Sequence, residues 1–267
     1  MTKTDTVMTR IATFQDATSL SADPAGRLYV VDAATATVTV LDAAGTVLPT
    51  HGGPGSGDYG FFEPADLDPT NGLAFFVADL GNQRVQRVER DFRLVRSIPV
   101  ELPGDDGPSE RVEDPIPGDP SAVALSPTGD LHILDARSRT VLTLDQERRF
   151  ERTLGGLRAP VDLAVGDDGT LYVADRGRSR LVVFDTYGFR LRTIDLPVPP
   201  EAVAFVQGRL LVAGADRVVL VSSDGEELAT ARRDPMPLVG ATLVGTTLYV
   251  LTAQALYRLP SAVGRPD

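Results

Sequence analysis

The sequence predicts an all-β chain made of six copies of one small antiparallel sheet, and three observations carry that reading. One stretch resolves into short strands joined by tight turns, its strands are apolar on both faces, and it recurs along the chain. The stretch is Pro160 to Phe184, PVDLAVGDDGTLYVADRGRSRLVVF. Val161 to Val165 reads as a strand, and Asp167-Asp168-Gly169 supplies the φ > 0 turn position that glycine takes at no steric cost. Leu171 to Ala174 forms the next strand and ends on Asp175; the polar turn Arg176 to Ser179 leads to Leu181 to Phe184, and Phe189 to Ile194 completes the set. Such a sheet must be covered on both sides, so one copy alone could not bury its side chains.

In chain order, residues 8–14 (MTRIATF) read as a strand with no unit of its own. The first unit runs from Asp23-Pro24-Ala25-Gly26 into LYVVD, ending at Asp32. The second runs from Asp68 to Gly72 into LAFFVAD, ending at Asp79. The third runs from Ser126-Pro127-Thr128-Gly129 into LHILD, ending at Asp135. The turn glycine precedes the terminal Asp by six positions in units one, three and four but by seven in unit two, which predicts a bulge near Phe75-Phe76. GRLLVAG (Gly208 to Gly214) and TLYVLT (Thr247 to Thr252) mark units five and six. Equivalent positions 32, 79, 135, 175, 214 and 252 are spaced by 47, 56, 40, 39 and 38, so the early units carry insertions. The largest, Glu101 to Asp119, has seven acidic residues, one Arg and four Pro, too polar for core and too Pro-rich for helix.

The pattern Pro-x-x-Leu-Ala-Val-x-x-x-Gly-x-Leu-Tyr-Val-Ala-Asp-x-Gly-x-x-Arg-Leu, with the run Gly55-Ser56-Gly57-Asp58-Tyr59-Gly60-Phe61-Phe62-Glu63-Pro64, resembles the NHL repeat family. Gly214 and Thr252 depart from it in units five and six, where the other units place Asp. The absence of Trp argues against WD-type repeats. The resemblance implies a six-bladed β-propeller of four-stranded antiparallel blades, one NHL-type domain over residues 1–267. The sixth unit stops after its third strand, and Arg10-Ile11 with Thr13 matches the outer strands LVRSI, FERTL and FRLRTI. Residues 1–14 are therefore expected to supply the closing strand of the last blade. In such a propeller the blade connections and the turns between second and third strands share one face, usually the binding face. That face would carry Pro49 to Glu63, the acidic insertion 101–119, and the turns at 80–83, 136–139 and 176–179.

Composition narrows the function classes. The 267 residues hold no Cys and carry a net charge of −11, which excludes disulfide frameworks and disfavours unspecific binding to nucleic acid or anionic membrane. No run approaches the roughly 20 apolar residues of a membrane span. MTKTDTVMTRIATF lacks the apolar core of about 7–15 residues that a secretory signal needs. Export to the periplasm or beyond, as in many bacterial relatives, would require a signal already removed; otherwise the expected compartment is the cytoplasm.

Asp32, Asp79, Asp135 and Asp175 each end a strand before a polar turn, where a carboxylate accepts from turn N–H groups, so their expected role is structural. Asp66 and Asp162 fall near the start of innermost strands, with Glu63 and Glu201 close to equivalent points; converging carboxylates there are the candidate metal ligands, suited to Ca²⁺. Only His51 and His132 are available to a zinc site, His51 heading a Gly-rich loop and His132 alternating with apolar strand residues. Neither a nucleophile elbow nor a phosphate loop is present: Gly55-Ser56-Gly57 has no His partner at readable spacing, and no Lys or helix follows Gly60. Arg84, Arg137, Arg139, Arg176, Arg178 and Arg180 cluster in or beside the turns of units two to four; Arg84, Arg137, Arg139, Arg178 and Arg180, with Tyr59, are the binding-face candidates. The expectation is a non-enzymatic binding or scaffold propeller that needs no cofactor and meets a protein partner rather than nucleic acid. The alternative is a Ca- or Zn-dependent hydrolase or lyase at the channel mouth.

Overall fold

A computed structural model of the chain describes residues 8–69, 72–102, 116–232 and 237–260. Its strands form six four-stranded antiparallel sheets arranged as the blades of a propeller. Blade 1 is Ala17–Ala22, Leu28–Asp32, Thr37–Leu41 and Val47–Gly52. Blade 2 is Pro64–Asp68, Ala74–Asp79, Arg84–Glu89 and Leu94–Pro99. Blade 3 is Pro120–Leu125, Leu131–Asp135, Thr140–Leu144 and Phe150–Leu154. Blade 4 is Pro160–Val165, Leu171–Asp175, Arg180–Phe184 and Arg190–Asp195. Blade 5 is Pro200–Val206, Arg209–Gly214, Arg217–Ser222 and Glu227–Arg232. Blade 6 is Leu238–Val244, Thr247–Thr252 and Ala255–Pro260, completed by Thr9–Thr13 as its outer strand. The N-terminal segment thus closes the last blade, as its sequence predicts.

The apolar side chains on both faces of each blade explain the ring. Second strands such as LYVVD and LYVAD are buried at every position, and the core divides into clusters that lie between blades. Tyr29, Val38, Phe61 and Phe75 join blades 1 and 2. Ile98, Ile133 and Leu142 join blades 2 and 3, and Leu134, Leu154 and Phe184 join blades 3 and 4. Leu181 and Val212 join blades 4 and 5, Leu220 and Leu248 join 5 and 6, and Leu28 and Tyr249 return the ring to blade 1. Each interface removes two sheet faces from water, so no blade is stable apart from its neighbours.

Every first strand opens with a register shift, at Ala17/Ser19, Pro64/Asp66, Pro120/Ala122, Pro160/Asp162, Pro200/Ala202 and Leu238/Gly240. A bulge re-aims the following side chain, and the repeated irregularity sets the row that lines the channel. The bulge expected near Phe75-Phe76 is not there: the ladder with Arg84–Glu89 is continuous from Ala74 to Asp79, and the ladder with Pro64–Asp68 shifts only at Pro64/Asp66, opposite Ala78 and Asp79. The extra spacing arises in the turn, where the Gly72 N–H bonds the Pro69 carbonyl, one register position earlier than the Gly169 to Gly166 bond of blade 4. The acidic insertion begins and ends as a short ladder, Glu101–Leu102 against Ile116–Pro117, and its residues 103–115 lie outside the described residues.

Candidate binding face and channel

The connections between blades meet the turns between second and third strands on one face, and buried aspartates hold them together. Asp175 accepts the Arg158 and Ala159 N–H groups of the incoming connection at 3.1 and 2.9 Å. Asp32 accepts from Gln15 and Asp16 on one side and from Thr35 in its own turn on the other. Asp135 accepts the Asp119 N–H and both the N–H and hydroxyl of Ser138. Asp79 accepts the Phe62 N–H at 2.7 Å and three side-chain donors. Each carboxylate thus satisfies N–H groups that would otherwise be buried without partners. Where the chain lacks the Asp, a smaller device replaces it: the Thr252 hydroxyl and the Ala255 backbone bond each other, and at Gly214 a Cβ would meet Val198 at 2.7 Å.

This geometry sorts the arginines. Arg84 and Arg180 open third strands and turn inward onto Asp79 and Asp175, each side chain only 13% exposed. Arg84 also donates to the Gly57 and Gly60 carbonyls at 2.9 and 3.1 Å. Both guanidinium groups are thus largely turned away from solvent. Arg137 grips Asp119 with two bonds, at 2.9 and 3.1 Å, yet stays 47% exposed. Arg176 pairs with Glu201 at 3.1 Å, and Arg178 reaches the Gly156 carbonyl at 3.4 Å. Arg139 is an exposed turn residue at φ 58°. Tyr59 is exposed, but it sits over the crevice between blades 1 and 2.

The central channel encloses 230 Å³ and is lined by the first strands. Asp66 and Asp162 occupy the same bulge position in blades 2 and 4 and reach forward to the next blade. Asp66 accepts the Ser19 hydroxyl and the Val123 N–H, while Asp162 accepts its own neighbour Leu163 and the Val203 N–H at 2.7 Å. Sequence reasoning missed that Asp68 repeats the device two residues on, accepting the Leu125 N–H; the Asp66-x-Asp68 alternation was the available signal. Burial pushes the Asp162 carboxyl well above its ordinary 3.8, and the Asp66 charge adds to that. Burial likewise raises Asp66, with Ser19 and Val123 pulling against it.

A raised carboxyl pKa means the folded state holds the proton more tightly than the unfolded chain. The pair therefore costs stability as pH rises from the ordinary value through the raised one. In a carboxyl-carbon NMR titration, Asp162 is expected to titrate above the ordinary range. Its midpoint should fall in the Asp66→Ser protein while staying raised, because burial is the larger cause. An unchanged midpoint would remove the coupling.

The other candidates do not gather around this pair. Glu63 is exposed at φ 51°, and Glu201 faces Arg176, its carboxyl raised by burial against that charge. His132 is buried in blade 3 beside the Thr143 hydroxyl, burial pushing it down to about 4. His51 lies in the outer strand of blade 1 rather than in the loop predicted for it. Among the described residues no three His, Asp or Glu side chains come together in a way that could hold a metal ion. Asp66 and Asp162 are instead engaged by hydroxyl and N–H donors of their own and neighbouring strands.

Six inward first strands, buried aspartate latches on one face and a narrow channel define a six-bladed β-propeller. Residues 157–184, the core of blade 4, match the NHL repeat, so the chain is a propeller carrying that repeat. It is similar to a solved putative gluconolactonase, at 16% identity over 97% of this chain and 93% of that one, with TM-score 0.73. A gluconolactonase from Xanthomonas campestris gives 16%, 96%, 90% and 0.71. A catalytically inactive virginiamycin B lyase from Staphylococcus aureus, solved with quinupristin, gives 10%, 96%, 99% and 0.69. At these identities the likeness is one of fold. No curated protein sequence matches the chain.

Proposed function

We propose that this protein is a binding propeller without catalysis of its own, which presents its latch face to a protein partner. The observation that supports the reading is where the acidic insertion is rooted. Its two-stranded stem ends at Gly118, whose N–H bonds the Val100 carbonyl, and Asp119 then pairs with Arg137 in the adjoining turn of blade 3. The root of the insertion, with Glu101 and Asp119, thus adjoins the turn that carries Arg137 and Arg139 and brings charges of both signs together. Such a surface favours a partner of complementary mixed charge over a polyanion, which the acidic segment would repel. The enzyme alternative asks more of the channel, because its carboxylates are already engaged by backbone N–H groups of the neighbouring blades.

Rim charges act mainly on association and are screened over about 8 Å at physiological salt. Partner capture from the native host is expected to weaken with added salt, and to weaken further when Arg137, Arg139 and Arg178 are changed together to Ser. Arg84 and Arg180 are left in place because they hold the fold, so the variant's melting midpoint should match the parent's. An identical partner list from parent and variant would overturn the reading. A rise in midpoint on adding Ca²⁺ or Zn²⁺ would favour the metal-dependent alternative.

A further inference from the structure

The turn between third and fourth strands of blades 1 to 5 closes on one left-handed residue, whose N–H bonds the carbonyl three positions back. It is Gly45, Gly188 and Gly225 in blades 1, 4 and 5, but Phe92 in blade 2 and Arg148 in blade 3, at φ 61° and 67°. A residue other than glycine is strained there and persists only when its surroundings enforce it. Arg148 is held from two sides. Its Nη1 donates to the Gly129 and Asp145 carbonyls at 2.7 and 3.1 Å, and its guanidinium lies over the Phe76 ring of blade 2, 4.9 Å from the centroid.

A second departure meets it from blade 2. The third-strand residue paired with the position of Phe76 is Val40, Thr143, Val183 and Leu220 in blades 1, 3, 4 and 5, each of them buried. In blade 2 it is Arg87. Blade 6 has Arg258 there, but the turn that follows it, in blade 1, holds Gly45 and no cation. Arg87 stands directly opposite Arg96 in its ladder, on the side of the blade that Phe76, Val85 and Ile98 turn to blade 3. Arg96 in turn donates to the Glu147 carbonyl at 3.0 Å, next to Arg148. Three guanidinium groups therefore meet at one crevice, and like charges so placed oppose the fold.

No counter-charge is in place. The nearby carboxylates are engaged elsewhere: Glu89 by Arg93, Asp145 and Glu147 by Arg149, and Asp130 by the Thr128 hydroxyl. Among the described residues Arg87 has no hydrogen bond or ion pair at all. Only its Nε is closed off from solvent, so both of its Nη groups remain accessible, as does Nη2 of Arg148. Burial holds the Arg148 guanidinium below its ordinary pKa, and the charges of Arg87 and Arg96 add to that, with Asp130 and Asp145 pulling the other way.

We propose that the mouth of the crevice between blades 2 and 3 binds a dianionic phosphate group, free or at the end of a small organic molecule. The Nη groups of Arg87, Nη2 of Arg148 and the outward donors of Arg96 would take its oxygens, an arrangement that guanidinium forks suit. A carboxylate would leave most of the local charge unbalanced. The stack on Phe76 fixes Arg148 beforehand, which lowers the cost of ordering it on binding. The site lies at the opposite end of the strands from the latch face, so neither reading stands or falls with the other.

Calorimetric titration of the full chain at constant ionic strength tests this, with inorganic phosphate as the probe and acetate as the comparison. Phosphate should bind saturably, and acetate at least tenfold more weakly. Glycerol 3-phosphate should compete for the same site; binding tighter than that of inorganic phosphate assigns the group to an organic ester, and equal or weaker binding assigns the free anion. Arg87→Leu, the residue of blade 5, should weaken phosphate about tenfold, the consequence of losing one charge-assisted contact. Arg148→Gly, the residue of blades 1, 4 and 5, should weaken it severalfold, and decides the matter if Arg87→Leu fails to fold. No saturation at millimolar phosphate, equal affinity for acetate, failure of glycerol 3-phosphate to compete, or full affinity in either variant would each overturn the proposal.

Discussion

Removing residues 1–14 is expected to lower the melting midpoint by about 10 °C or more, because it strips the last blade of its outer strand. Thr9–Thr13 pairs with Ala255–Pro260 through Thr9↔Arg258, Arg10↔Tyr257, Ala12↔Leu256 and Thr13↔Ala255. Beyond the ladder, Phe14 donates to the Gln254 carbonyl at 2.8 Å. Ile11, Ala12 and Phe14 pack on the cluster joining blades 6 and 1, and Met8 on the one joining blades 5 and 6. Uncovering Ile11 and Phe14, each half-buried, forfeits roughly 1 kcal/mol apiece, and each ladder hydrogen bond contributes about 0.5–1.5 kcal/mol more. At about 2–4 °C per kcal/mol for a chain of this size, the sum reaches the stated shift. Fusing the same fourteen residues after residue 267 should restore most of it, since the strand pairs by sequence and not by its place in the chain. A truncated protein that melts within about two degrees of the parent would show that blade 6 holds without its fourth strand.

The closure was legible because an orphan strand at one end matched a vacancy at the other, and both were visible as text. The aspartate latches were legible for a similar reason: a strand-end Asp before a polar turn has few jobs besides accepting N–H groups. The arginines misled where their sequence neighbourhood was polar but their rotamers point inward. Asp79 to Arg84 and Asp175 to Arg180 share one five-residue offset across the turn, and reading the two pairs together would have exposed a recurring ion pair. The bulge expected at Phe75-Phe76 failed because spacing between two residues does not say whether an extra position falls in a strand or in its turn. The crevice between blades 1 and 2 was beyond reach of the text. Its walls come from an outer strand, a connection, a third strand and a turn that meet only through tertiary packing, although aligning Glu89 to Arg93 with Asp185 to Phe189 does put Phe92 in a glycine's place.

Asp79→Ala is expected to cost about 3–5 kcal/mol, the range for breaking a buried ion pair by removing one partner. Asp79 has no exposed side-chain surface and is the most heavily used latch. It accepts from Phe62 N–H at 2.7 Å, Asn82 Nδ2 at 2.8 Å and Arg84 Nε at 2.7 Å, with Gln86 Nε2 at 3.3 Å. Alanine would strand the Arg84 charge at 13% exposure and leave the Phe62 N–H without its acceptor. Asp175→Ala should cost less, about 1–3 kcal/mol, because that latch is looser. Its guanidinium partner stands at 3.3 Å, and Arg180 Nη2 makes no bond of hydrogen-bond geometry. Urea unfolding of both variants against the parent measures the difference directly, provided the slope with denaturant is unchanged. The larger loss should come with faster amide exchange over residues 55–61, since Asn82 and Arg84 carry the Asp79 latch to the Gly55, Gly57 and Gly60 carbonyls. Equal losses in the two variants, or exchange in that run no faster than in the parent, would mean that the connection into blade 2 is held by the packing of Phe61 and not by the carboxylate.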